Sequence, residues 1–590
     1  MAHESSDFVV GIRISRRLRS LMMVLSILVP GAGVAASADD SVVNSKHDLS
    51  TFGPGPVRAV NESEICIFCH SPHNTAPQTP LWNRHNPTTH YRVYKSSTLD
   101  ARMDQPGSSS KMCLSCHDGS IALGLVMSRS ATDPIIMNQP FMPSGKTNLT
   151  NDLSNDHPIG FRFDRALANR DRQIRPPELV SEKIQLGPRG ELECTACHDP
   201  HNNELGNFLR ITERRGALCT TCHSMAGWPT SAHALSSVTV PASITNGEQL
   251  HFTSMSDNSC QTCHAPHNAG HPARLLRERA NEMCMACHDG MTATDVDSVI
   301  NSRSGHRMRR FRDVHDPTED VRFMRPHVDC TDCHNPHAAR ANSVGNLPRI
   351  ADLATAALVP PELEQVKGVS VSGVAVERAR FTYEVCFRCH GDQPIPEPQR
   401  IVRQHDEMGN VRRKFMPSAA SSHPITPVSF NHAESPSLLP ERRNRQVLSC
   451  QDCHNNPNAR ELGGSGPNGP HGSSFEHLLA KRYETRDFTS ESAQNYSLCY
   501  QCHDRNSILA NQSFSLHQLH IVNVRAPCSA CHDPHGVQGN HAEHAHLINF
   551  DTAIVGGRRF YLSTGRLSGS CTLVCHGADH RNFTYGPGQP

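Results

Sequence analysis

Cysteine and histidine are the residues of this 590-residue chain most able to do chemistry, with 24 Cys and 39 His. Twenty-two of the cysteines fall in eleven copies of C-x-x-C-H. The triplets are Cys66/Cys69/His70, Cys113/Cys116/His117, Cys194/Cys197/His198, Cys219/Cys222/His223, Cys260/Cys263/His264 and Cys284/Cys287/His288, followed by Cys330/Cys333/His334, Cys386/Cys389/His390, Cys450/Cys453/His454, Cys499/Cys502/His503 and Cys528/Cys531/His532. Zinc sites use C-x-x-C but do not need a His directly after the second Cys in every copy. Disulfides suit an exported chain, yet they too leave that His unexplained. Thioredoxin-like pairs occur once or twice in a chain. Eleven complete triplets are the signature of c-type haem attachment. Two thiols add across the vinyl groups of one porphyrin edge, and the adjacent imidazole ligates the iron from its proximal side.

The remaining two cysteines lie in "SGSCTLVCHGADH" (568–580), where three residues separate Cys571 from Cys575 and His576 follows directly. Alone this reads as a disulfide or a spoiled site. The repeat resolves the choice. One motif type continues as C-H-x-P-H: "CIFCHSPH", "CTACHDPH", "CQTCHAPH", "CTDCHNPH" and "CSACHDPH", with "CQDCHNNP" (450–457) lacking the second His. The other type lacks the Pro-His, and the two types alternate. Cys528 has no regular partner, and Cys571 lies 43 residues beyond it, inside the 24–56 span of the other pairs. The expectation is twelve haem c groups, eleven on regular C-x-x-C-H sites and one on the C-x-x-x-C-H site, with His576 as its proximal ligand.

A third element precedes each pair, a His close after a Ser, as in "SKH", "SNDH", "SAH", "SGH", "SSH" and "SLH". One such His and one Pro-His per unit supply the expected distal ligands: His47, His157, His233, His306, His423 and His517 with His73, His201, His267, His337 and His535. His251, His327, His432 and His520 also lie upstream of first-type motifs and could displace members of the Ser-associated set. His471, in "GPHGSSF", replaces the missing Pro-His. A Pro beside the proximal His stiffens the chain, which aims the second His at a neighbouring haem. Met does not recur at a fixed offset, so bis-His ligation is expected, and with it a low potential. No catalytic residue is assigned.

These sites need elements to hold them, and the composition limits what those are. Hydrophobic residues make up 37% and aromatics 5%, and mean hydropathy is −0.49, low for a domain with an ordinary core. Zero net charge argues against a nucleic-acid binder. The 41 Pro and 38 Gly interrupt longer periodic segments. The fold class expected is a multihaem cytochrome c: mostly coil with short α-helices and little β, in six repeated haem-pair units, with a core built largely from stacked haems. The units are expected at 39–150, 151–227, 228–301, 302–416 (with an insertion about 340–380), 417–510 and 511–590. Within the insertion, 351–380 reads as a short helix and a hairpin, and 463–474 as a flexible loop unless His471 ties it to iron. Residues 1–38 read as a signal peptide: Arg13, Arg16, Arg17 and Arg19 precede the apolar run 21–29, and "ASA" precedes Asp39. That run is short for a membrane span, and no Cys sits beside it to carry a lipid. The mature chain is expected to be soluble, periplasmic or extracellular, with no membrane span.

The pairing, together with "KHDLSTFGPGP", "PLWNRH" and "SSKMCLSCHDGSIALG", resembles the doubled C-x-x-C-H multihaem c-type cytochromes, which include periplasmic and extracellular electron carriers of metal-respiring bacteria. The resemblance covers about 45–580. It implies bis-His haems stacked in a wire, a quinol-oxidising cytochrome as upstream redox partner and an outer-membrane conduit or extracellular acceptor downstream. A homopolymer would need a distal His donated between copies. Two other functions compete. A reductase of nitrogen or sulfur oxyanions needs one open iron, and the places for it are Asn456–Pro457 and the Cys571 site. A scaffold role inside a porin–cytochrome complex is the third.

Overall fold

The computed structural model describes residues 41–73, 81–245, 250–306, 308, 316, 318–319, 327–340, 356–392, 401–406, 410–427, 435–443 and 447–586. The signal peptide expected over 1–38 lies outside them, as does the 341–355 part of the expected insertion.

Each regular motif wraps into one tight turn, because the proximal His backbone N–H donates to the carbonyl of the first Cys. The distances are 2.8 Å for His70–Cys66, 3.0 Å for His198–Cys194, 2.9 Å for His264–Cys260 and 2.8 Å for His454–Cys450. A helical turn sets side chains three apart about 5–6 Å from each other on one face. That is the physical use of the two-residue spacer. Polar residues fix where some turns start. Asp329 accepts from the Thr331 N–H while Asp332 accepts from the Asp329 N–H at 2.7 Å, and Ser449 and Asp452 repeat this reciprocal cap.

The longest helices among the described residues are Ser108–His117 and Thr382–His390, and each ends on a motif His. Most of the chain is coil and turn, as the Pro and Gly content dictates. Small two-stranded pairings occur, including a hairpin of Gly368–Val369 with Ala375–Val376 inside the expected insertion. A 3₁₀ turn at Pro361–Leu363 stands where a short helix was expected. No helix among the described residues is long and apolar enough to cross a membrane.

The C-terminal end departs from this pattern. Val555–Gly565, Ser568–Cys575 and Ala578–Tyr585 form a three-stranded antiparallel sheet with the middle segment between the other two. The expected twelfth motif therefore lies on a strand and not on a helical turn. The cause is local: "GRRFYLSTG" and "SCTLVC" are rich in aromatic and β-branched residues. His576 and Gly577 both take left-handed φ, 48° and 78°, the conformation a two-residue hairpin turn requires.

The apolar core is divided. Cys69 and Cys116 pack on a cluster around Phe68, Leu123 and Ile135, Cys222 on one around Phe161, Phe163 and Leu167, and Cys450 on one around Tyr383 and Phe387. Between such clusters runs a connected cavity of about 4800 Å³. It is lined by both cysteines of six motifs from Cys66 to Cys287, by Cys330, Cys333 and Cys386, and by Cys502. Shared among the first eight motifs, this volume is roughly 600 Å³ each, within the 300–1,000 Å³ of a site for one sizeable ligand.

Candidate haem-binding sites

The motif histidines do not stand alone. His70 faces His201 with ring centroids 5.9 Å apart, His117 faces His47 at 6.1 Å, and His198 faces His267 at 6.2 Å. The series continues with His223–His157 at 6.1 Å, His264–His337 at 6.1 Å and His288–His233 at 6.4 Å. Next come His334–His471 at 5.9 Å, His390–His306 at 6.2 Å and His454–His535 at 5.9 Å. His532 faces His517 at 6.5 Å, and His503 lies within electrostatic reach of His423. Imidazole nitrogens bind transition metals at about 2 Å, so two bonds in line plus a ring radius at each end give a spacing of roughly 6 Å. The observed pairs leave room for one iron apiece. Two imidazoles in direct stacking would sit closer.

A rule connects these partners. Each Pro-His reaches back to the preceding Pro-His-type motif, as His201 to His70, His267 to His198 and His337 to His264. Five of the six Ser-associated His reach forward to the second motif of their own pair, as His47 to His117 and His233 to His288, whereas His517 faces His532, the first motif of the last pair. The two sets are tied together through the proline carbonyl. Nδ1 of His233 bonds the Pro336 carbonyl at 2.9 Å, His306 bonds Pro470 at 3.0 Å and His423 bonds Pro534 at 2.6 Å. His47 bonds the Pro200 carbonyl in the same way, whereas His157 uses its backbone N–H for Pro266 at 2.8 Å. "GPH" at 469–471 therefore occupies the Pro-His position, and His471 is held by the fold rather than carried on a free loop. The reductase alternative looked for an open iron at Asn456–Pro457, but both nearby motif histidines, His334 and His454, already face a second imidazole.

Proximal rings are oriented by a feature the sequence reading did not single out. His198 Nδ1 bonds the Asn207 carbonyl at 2.9 Å, His264 that of Arg274 at 2.9 Å, His454 that of His477 at 2.8 Å and His532 that of His546 at 2.9 Å. In each case the residue whose carbonyl accepts and the residue after it take left-handed φ. The signal is faint: an apolar pair such as Phe208-Leu209, Leu275-Leu276 or Leu478-Leu479 follows each acceptor. With Nδ1 committed to a carbonyl, Nε2 is the nitrogen left for a metal. Burial, with help from neighbouring His charges, pushes His47, His157, His337 and His471 down to about 4. They are neutral at pH 7, with a lone pair available.

The thiols give the order of the sites. Within a pair, second cysteines face each other electrostatically: Cys69 and Cys116, Cys197 and Cys222, Cys263 and Cys287, Cys453 and Cys502. Between pairs, first cysteines lie within electrostatic reach of each other: Cys113 and Cys194, Cys219 and Cys260, Cys284 and Cys330, Cys386 and Cys450, Cys499 and Cys528. Cys531 continues the alternation toward Cys571 and Cys575. Neighbours in sequence are thus neighbours in space along the whole series. All 24 cysteines are unbridged. Among the described residues no group of three Cys, His, Asp or Glu side chains converges as a bare metal site demands.

Three segments, 187–227, 253–293 and 443–507, match the doubled CXXCH motif family. The chain is also 27% identical over 177 residues to the multihaem cytochrome MtrA of Shewanella baltica (strain OS185). These matches support a multihaem c-type cytochrome family for the chain. The match to MtrA covers 28% of this chain and 41% of the relative, so the chain spans less than half the length of the relative it matches.

Two expected ligands stand apart from these pairs. His73 is exposed and faces no other imidazole among the described residues. It sits in the first Pro-His, which has no preceding motif to reach back to. His576, expected as a proximal ligand, sits at the hairpin tip. Its Nε2 bonds Asp487 at 2.8 Å and its ring stacks on Phe488 at 4.5 Å. The strand carries Cys571 and Cys575 without aiming the adjacent His at another imidazole.

Proposed function

We propose that this chain is an exported, dodecahaem c-type cytochrome that conducts electrons along a series of bis-His haem sites in periplasmic or extracellular respiration. When bound, haem supplies a one-electron iron couple at each site. The chain's own residues do the rest. The cysteine pairs would anchor successive haems in sequence order, and the paired imidazoles would hold their irons. Backbone carbonyls fix the ring tautomers, and apolar clusters between the motifs keep water out. Low potential follows from bis-His ligation and burial. The observation that carries this reading is the set of ten motif histidines that each face a second imidazole 5.9–6.5 Å away.

Such a carrier takes electrons from a quinol-oxidising cytochrome and passes them to an outer-membrane conduit or extracellular acceptor. The two ends of the series, at His70 and at the C-terminal sheet, are the natural entry and exit. The six haem-pair units and the signal peptide over 1–38 are part of this reading. Reduction of nitrogen or sulfur oxyanions is the less favoured function, because the motif histidines beside Asn456–Pro457, His334 and His454, each face a second imidazole.

The test is electron paramagnetic resonance and optical spectroscopy of the purified, haem-loaded protein. The expected result is an entirely low-spin spectrum with no change on adding nitrite or cyanide. A high-spin ferric band in the wild-type protein, shifted by such ligands, overturns the reading. His471→Gly is expected to convert one haem, that of Cys330 and Cys333, to a high-spin form restored by added imidazole.

A further inference from the structure

We infer that the twelfth haem, anchored by Cys571 and Cys575, takes His520 and His580 as its two axial ligands, and not the adjacent His576. The inference rests on the haem reading above and corrects one of its ligands. His520 and His580 face each other with ring centroids 6.3 Å apart and planes 32° apart, inside the range of the regular pairs. His520 Nδ1 bonds the Leu516 carbonyl at 2.8 Å, the same commitment that leaves Nε2 for iron at the proximal histidines. It lies in a single π-helical turn, Leu519–Asn523, a rare backbone form found mostly at functional positions. His580 Nδ1 is a buried atom with no partner, and it shares that condition with His288 and His471, two members of the regular pairs.

The anchors lie beside this pair. His580 is the cross-strand neighbour of Leu573, between Cys571 and Cys575. Both cysteines pack on the cluster that contains Phe550, Tyr561 and Leu573, and so does Cys531. His517, three residues before His520, is occupied by His532. The C-terminal end thus closes on itself with two in-chain pairs, and no Pro-His from a following repeat is required. His576 is engaged elsewhere, by Asp487 and Phe488. At each anchor one S–H bond and one vinyl C=C bond are consumed while one S–C and one C–H bond form. The step is redox-neutral and needs no further reagent.

The sheet also shows what attachment must do to the backbone. Residues four apart in a straight strand lie about 13 Å from each other, beyond the spacing of a helical turn. The register of the middle strand slips between Cys571 and Leu573 and again between Thr572 and Val574. These irregularities mark where the strand can draw its two cysteines together.

Intact mass and electron paramagnetic resonance of the full-length, haem-loaded protein test the assignment. Wild type is expected to carry twelve haems, all low-spin. His580→Gly and His520→Gly are each expected to turn one haem in twelve high-spin, reversibly with imidazole, while His576→Gly leaves the spectrum unchanged. If His580→Gly does not fold, His580→Met is read instead. A Met ligand raises the potential of its centre, so one new high-potential step in the redox titration supports the assignment, and its absence overturns it. A mass of eleven haems, or a high-spin signal from His576→Gly alongside a silent His580→Gly, also overturns it. Either of those results leaves the eleven regular sites low-spin. Failure of the haem reading itself would show as the loss of that signal in wild type.

Discussion

The mid-chain motif at Cys260–His264 and the terminal motif at Cys571–His576 solve one problem with different backbones. At the first, a single turn brings the two thiols to one face, and the chain leaves it extended, with φ −110° and ψ 139° at His264. The imidazole is then pinned by the Arg274 carbonyl. At the second, a strand holds the thiols further apart, and the adjacent His becomes a hairpin tip. The mid-chain site opens into the large cavity and has a smaller buried cluster beside it, Tyr94, Ala265, Ala269 and Leu275. The terminal site leans on a sheet and on a cluster of seven buried residues, from Ala526 to Leu573. One region depends more on its cofactor for a core. The other has the larger cluster already.

The sharpest way to break this comparison is to remove the anchors from each. Cys260→Ser with Cys263→Ser is expected to abolish recovery of folded protein. An unfilled hole of roughly 600 Å³ at about 24 cal/mol per Å³ costs as much as the whole stability of an ordinary domain. Cys571→Ser with Cys575→Ser is expected to lose the mass of one haem and leave yield and melting temperature close to wild type. Equal losses of folded protein from the two variants would show that the regions are not different in this respect.

Deleting Val574 tests the backbone itself. The deletion makes C-x-x-C-H from C-x-x-x-C-H and removes one residue from the middle strand. The expected product keeps its haem count but moves the proximal role to the adjacent His, so adding His580→Gly in that background no longer produces a high-spin haem. A smaller effect separates capped turns from the strand. Asp329→Ala removes the cap of the Cys330 turn and is expected to cost about 1 kcal/mol. That is roughly fivefold faster amide exchange at Thr331 and Asp332, with none at Thr572 or Leu573. The smallest effect is expected at the opposite end of the chain. His73→Ala leaves the low-spin spectrum intact, whereas His201→Ala makes the haem of Cys66 and Cys69 high-spin.

The motifs made the chemistry readable from sequence. C-x-x-C-H states in five residues which atoms bond the porphyrin edge and which ligates iron, because a helical turn needs no distant partner to form. Coil-rich architecture was equally readable, since Pro, Gly and a low apolar content limit regular elements. The C-terminal sheet was not read. Its alternation is interrupted by two register slips, and the motif at its centre argued for a turn. His580 was missed for the same reason, since it stands at no offset that recurs in the other units, and His520 was read only as a substitute for a Ser-associated His. The carbonyls of Asn207, Arg274, His477 and His546 left almost no trace, because a backbone acceptor can belong to any residue.

What the sequence determined by itself is the number and kind of anchoring sites, their order along the chain and the supply of imidazoles to complete them. These depend on spacings of two or three residues, which local geometry converts directly into shape. Only the tertiary structure decided which imidazole completes which site. His233 and Pro336 are 103 residues apart and His306 and Pro470 are 164 apart, and such distances carry no local signal. At the C-terminus the same contacts set His580, and not His576, opposite His520, because strand pairing there outweighs the turn that its motif would otherwise take.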